Sequence, residues 1–168
     1  MGNRTKQEYD YHQWANNRFF EHLVELPDKV YEKEIQSVFS SVAEVIVHIY
    51  QTDGMWLSVM SGDSFEETMS VIDQLKERVA DRSLGHMQQL YTELAKEYKT
   101  FFDDCGDLSK VISINHPKYG SLETPVADLV KHVVNHGTYH RGNITAMLRQ
   151  QGQAGVPTDY IFYLYEIA

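Results

Sequence analysis

The stretch "HVVNHGTYHRGN", residues 132–143, holds His132, His136 and His140 at intervals of four. In an α-helix, residues four apart differ by about 40° in rotation and about 6 Å along the axis, so their side chains converge. Two imidazoles so placed form half of a transition-metal site, as in the zinc-binding H-E-x-x-H helix. All three cannot share one ion. His132 and His140 lie about 12 Å apart along the axis, beyond the reach of metal–nitrogen bonds of about 2.0–2.1 Å. Spacing leaves open whether the pair is His132/His136 or His136/His140, and a metal-free polar or packing strip of histidines is the plain alternative.

A pair needs a third donor from elsewhere in the fold. His48 is the natural one, embedded in the apolar "VAEVIVHIYQTDGMWL". A lone histidine on such a face more often bonds backbone or a carboxylate, and the neighbouring pair is what gives it a ligand's role. Three neutral imidazoles leave positions of an ion for water, which is the catalytic arrangement rather than the closed structural one. His12, His22, His86 and His116 stand isolated, with His116 in a turn, and none is expected to bind metal.

The positioning elements follow from periodicity. A first helix runs from about Lys6 to Leu26, with Tyr9, Trp14, Phe19, Phe20 and Leu23 on its apolar side, and "LPDK" stops it. A second starts after Ser40 or Ser41 as N-cap and reaches about Met60, apolar on most of its circumference. A third, charged stretch spans about Glu66 to Phe102, where "RSLGH" kinks or divides it because Gly85 is a weak helix former. Then "VISIN" alternates and "HPKYG" supplies turn residues, predicting a hairpin. The fourth helix follows, with Thr124 as N-cap, Pro125 as first helical residue and Asp128 near the positive end, and runs to about Gln151. A short last helix begins in "PTDYIFYLYEIA", capped by Thr158 or Asp159. The expectation is an all-α, four-helix up-and-down bundle, a single domain over residues 1–168, with a short β-hairpin between the third and fourth helices and a short C-terminal helix.

Composition narrows the function. The 168 residues carry 24 acidic and 15 basic side chains, a formal net charge of -9. Such a chain is repelled by phosphate backbones and anionic lipid, so neither nucleic acid nor a membrane is expected as partner. The N-terminal stretch lacks the apolar core of a secretory signal. Cys105 is the single cysteine, so no intrachain disulfide can form and a cytoplasmic home is the simplest reading. Its acidic surroundings in "DDCGD" disfavour a reactive thiolate.

Three segments in order resemble the DinB/YfiT-like family of metal-dependent bundle proteins, over essentially the whole chain. "YHQWANNRFF" resembles the family's W-A-N helix, "VIVHIYQTDGMWL" its H-I-x-x-A-E-x-x-W helix, and "HVVNHGTYHRGNI" its H-x-x-x-H-R-G-Q segment. The resemblance implies a four-helix bundle that holds a divalent ion through His48, His136 and His140, leaving His132 as a pocket neighbour. It also implies a homodimer. Asn143 stands where the family usually has Gln, a change expected to touch helix packing more than metal. Asp53 stands where Glu is usual, and at about 140° around the helix from His48 it is not expected to be a ligand.

The expected function is therefore a metal-dependent enzyme that activates water or a low-molecular-weight thiol, a hydrolase or thiol transferase acting on a small molecule. Zinc or nickel fits first, with iron, manganese or copper also compatible. Candidate catalytic helpers are His132, Tyr139 and Arg141, although Tyr139 is turned about 100° from its neighbour and Arg141 better suits a salt bridge to another helix. Trp14 and Trp56 read as core. The rival expectations are a non-catalytic metal-binding or stress-response bundle and a metal-free interaction module.

Overall fold

The computed structural model describes residues 2–168; Met1, the first residue of the expected domain, lies outside them. The elements in order are α1 (Gly2–Glu25), α2 (Lys29–Glu32), α3 (Val42–Ser61), α4 (Phe65–Arg78), α5 (Leu84–Cys105), β1 (Val111–His116), β2 (Gly120–Pro125), α6 (Val126–Gln150) and α7 (Tyr160–Glu166). Four long helices, α1, α3, α5 and α6, make the bundle. Helix α1 packs on α5 and α6, and α3 packs on the same two, so α1 and α3 face each other diagonally across the core. Helix α4 lies outside, against α3, and α7 lies on α1. The expected bundle, hairpin and short C-terminal helix are all present. No described helix is long and apolar enough to cross a membrane.

Local chemistry sets the boundaries. Ser41 caps α3 by accepting from the Glu44 N–H, and Gly62 ends it in the left-handed region at φ 94°. Ser64 and Glu67 form a reciprocal capping box that starts α4 at once. The long third stretch is divided rather than kinked, and the break falls at residues 79–83, ahead of Gly85. There the Asp81 carboxylate accepts the Ser83 N–H at 2.8 Å, a turn contact that competes with the helix. Helix α2, a single turn after Pro27, carries no periodicity long enough to be read from sequence.

The hairpin differs from expectation at its exit. Thr124 is not the cap of α6: it stays in β2, paired with Ile112, and Pro125 holds the N-cap position. The strand runs straight into the helix because backbone carbonyls satisfy its first donors. Val126 N–H donates to Lys110 O at 3.0 Å, and Ala127 N–H to Leu108 O at 2.9 Å. At the hairpin tip, the N–H groups of Lys118 and Tyr119 donate to His116 Nδ1. At α7, Asp159 occupies the N-cap without a side-chain bond.

The core is aromatic where α1 meets α5. Tyr9 stacks on Tyr98 at 4.1 Å and meets Phe102 edge-on at 5.4 Å. Tyr98 donates its hydroxyl to Asp53 O, tying α5 to α3. Ile144, Met147 and Leu148 of α6 are fully buried, so this helix is fixed one turn beyond its histidines. Ile144→Ala is expected to cost about 2–5 kcal/mol in urea unfolding, whereas Tyr119→Ala at the exposed hairpin tip stays within about 0.5 kcal/mol of the parent.

Candidate metal centre

Helices α3 and α6 are neighbours along their length, and their facing stripes bring His48 between His136 and His140. The Nε2 of His48 lies 3.1 Å from the Nε2 of each. One ligand atom from each ring falls within 4.8 Å of the others. Two imidazole nitrogens on a tetrahedral ion with bonds of about 2.0–2.1 Å sit about 3.3 Å apart, so the observed spacing is compatible with a shared cation. Hydrogen bonding explains it less well, since three ring nitrogens turned toward one point cannot all find protons and acceptors in each other. The three histidines could thus hold a metal ion.

Electrostatics keep the rings in their ligand form. Burial, followed by the neighbouring imidazoles His140 and His48, pushes His136 down to about 3. Burial lowers His140, with His48 adding to it. Burial lowers His48 as well, against a raising influence of Asp53. All three are neutral at pH 7, with lone pairs available.

The surroundings are aromatic. Phe39, from the chain before α3, sits 5.2 Å from the His48 ring and 5.5 Å from that of His140. His132 is exposed, 4.8 Å edge-on from Trp56 and 6.2 Å from His136. Tyr139 is exposed too, its ring edge-on to His140 at 5.0 Å. Asn143 lies closer to the centre than its expected packing role implies: its amide approaches His140 Nδ1 at 3.3 Å. With Nε2 directed at the centre, Nδ1 carries the hydrogen, and a half-turn of the amide presents Oδ1 to it. Among the described residues nothing accepts from His136 Nδ1.

Arg141 is placed elsewhere. It is 2% exposed, and its bonds run to α1 and back to its own helix. Nη1 donates to His12 Nδ1 at 3.1 Å and to Asn16 Oδ1 at 2.8 Å, and Nη2 to Thr138 Oγ1. Because a guanidinium only donates, His12 Nδ1 must be the acceptor, and the ring's proton is on Nε2. That nitrogen donates to Asp53 Oδ2 at 2.8 Å. Arg141, His12 and Asp53 therefore form a buried chain across α6, α1 and α3, with a neutral imidazole between opposite charges. His12 and Asp53 carry no spacing signal that links them. Their one mark in the sequence is Gly137, a helix-interior glycine amid the histidines: a Cβ there would stand 2.2 Å from His12 Cε1 and 2.9 Å from Arg141 Nη1.

Two outcomes follow from this geometry. Helix propensity alone favours Gly137→Ala by about 1 kcal/mol, but the His12 ring would have to leave the chain. Net destabilisation of about 1–3 kcal/mol is expected by thermal or urea unfolding. For metal-free protein, the sign for His136 is fixed by its lowered value. Below about 6.5 the unfolded state takes up a proton that the folded state refuses down to about 3. Stability therefore falls as pH drops through that window, and His136→Asn flattens the slope in pH-dependent melting.

Comparison with known proteins agrees with this architecture. The DinB family profile matches residues 1–167. The chain is 45% identical over 157 residues to Protein DinB of Bacillus subtilis (strain 168), covering 94% of this chain and 91% of that protein. Its fold resembles the solved structure of Sibling Lethal Factor Precursor - DfsB, with a TM-score of 0.58 at 15% identity, over 89% of this chain and 98% of that one. The last is a likeness of fold alone. On the profile and the Bacillus relative together, this chain belongs to the DinB family.

Proposed function

We propose that the protein is a metal-dependent enzyme in which His48, His136 and His140 hold one divalent transition-metal ion beside a small-molecule substrate. The observation that carries this reading is the meeting of three neutral imidazole nitrogens, with 3.1 Å separations at His48. A bound ion would act as a Lewis acid, drawing the pKa of a coordinated water toward about 7 or holding a thiol as its thiolate. Three protein donors match catalytic rather than closed structural zinc sites. Zinc or nickel suits the all-imidazole set first, with iron, manganese or copper also compatible.

The chain's own groups have distinct parts in this reading. Phe39 packs beside two of the rings and forms an apolar side of the site. His132, exposed one turn before His136, is the group able to carry a proton between solvent and substrate. Tyr139 offers a hydroxyl at the rim. Arg141 serves by holding α6 in place through His12. Hydrolysis and transfer of a low-molecular-weight thiol are the two reaction types this site suits, in a cytoplasmic homodimer.

A non-catalytic reading has one observation in its favour, the packing of Phe39 against two of the imidazoles. In that case stripping the ion lowers the melting temperature while neither a thiol nor an anion perturbs the spectrum of the cobalt-substituted protein. The primary experiment is elemental analysis of untagged protein. One equivalent of metal is expected in the parent, and loss of most of it in His136→Ala and in His140→Ala. Stoichiometric metal that survives both substitutions overturns the site.

A further inference from the structure

The last residues of the chain fold back over the two helices that Arg141 joins. Beyond the end of α6, Gly155 lies so close to Thr145 that a Cβ would stand 2.5 Å from the threonine Cγ2, and a β-branched side chain is stiff at χ1. The same segment is then pinned along α1. His22 Nε2 donates to Ala154 O at 2.9 Å, the Tyr11 hydroxyl to Thr158 O at 2.8 Å, and Trp14 Nε1 to Glu166 Oε2 at 2.7 Å. Arg18 Nη1 reaches the same carboxylate at 3.4 Å. Helix α7 adds ring contacts: Tyr160 meets Tyr11 edge-on at 5.0 Å, and Tyr163 packs 5.7 Å from Trp14. Residues 154–166 therefore strap α6 to α1.

Tyr11 belongs to this strap and to the buried chain at once. It is 5% exposed. While its hydroxyl holds the Thr158 carbonyl, its ring stands 5.7 Å from the Arg141 guanidinium carbon, within the range of a cation–π contact, which is stronger away from water. Among the described residues Arg141 Nε finds no hydrogen-bond partner, so α1 holds this guanidinium by the bonds to His12 and Asn16 and by the Tyr11 ring. Arg141 follows His140 directly and lies just over one turn beyond His136. Whatever moves its backbone moves both imidazoles.

We propose that Tyr11 is a positioning residue for the turn of α6 that carries His136 and His140, passing the grip of the C-terminal segment to Arg141. This rests on the reading of those histidines as metal ligands.

Hydrogen exchange of the metal-free full chain, with cobalt affinity measured by chelator competition, tests this. Tyr11→Phe keeps the ring but cuts the tie to Thr158; Tyr11→Leu removes both. In Tyr11→Leu, cobalt binding is expected to weaken about tenfold or more, with a loss of about threefold in Tyr11→Phe. Amides of residues 136–144 are expected to exchange faster in the same order, while those of α5 keep their rates. The visible bands of the cobalt form shift in both variants, which a general loss of stability does not produce. Should Tyr11→Leu fail to fold, Tyr11→Phe decides. The proposal is overturned if Tyr11→Phe leaves α6 exchange and cobalt affinity at the parent values, or if exchange rises equally in α5. It is also overturned if α6 loosens while cobalt affinity and spectrum stay unchanged. A parent chain that takes up no cobalt sinks the metal reading instead, and faster exchange confined to α6 then still upholds the link through Tyr11.

Discussion

Arg141 and Asp53 are opposite charges, both almost wholly withdrawn from water, and the imidazole of His12 lies between them. Removing one member leaves an uncompensated charge in the core, which costs far more than the intact chain contributes to stability. The geometry of three helices is thereby tied to one ring. The contact also demands that α6 come within touching distance of His12, and only a glycine at 137 leaves room. Position, more than energy, is what this buried chain supplies.

Helix α6 divides its faces accordingly. His136 and His140 turn toward α3, while Gly137 and Arg141, each one residue on and about 100° around, turn toward α1. The same turn of helix therefore meets His48 on one side and His12 on the other. Asp53 does for α3 what Arg141 does for α6, five residues beyond its own histidine. The imidazole cluster, whose protonation is disfavoured by burial, lies on the two helices that this buried chain ties together.

Much of this was legible in the chain. The four-residue spacing identifies His136 and His140 as facing one way, and the apolar run around His48 places it in the core, because both signals are local to one helix. Their meeting across α3 and α6 needed the family resemblance to single out this pair. The buried chain was not legible, because His12 and Asp53 are 41 residues apart and each reads alone as an ordinary polar residue on an amphipathic helix. The misplaced cap at Thr124 has a similar origin: the sequence offers a hydroxyl, while the folded chain brings two carbonyls from residues that periodicity does not connect. Likewise Gly85 drew attention as a helix breaker, yet an aspartate side chain upstream makes the break.

The start of α6 is closed by main chain rather than by any side group, and that shapes how the sequence can drift. No side chain just before the helix is needed to cap it, while the path from Leu108 to Lys110 is held by the bonds it accepts. Insertions and deletions can collect at the solvent-facing bend around Lys118 without disturbing the helix. At the base of the ribbon a single added residue would displace those carbonyls and turn the imidazole-bearing face away from α3.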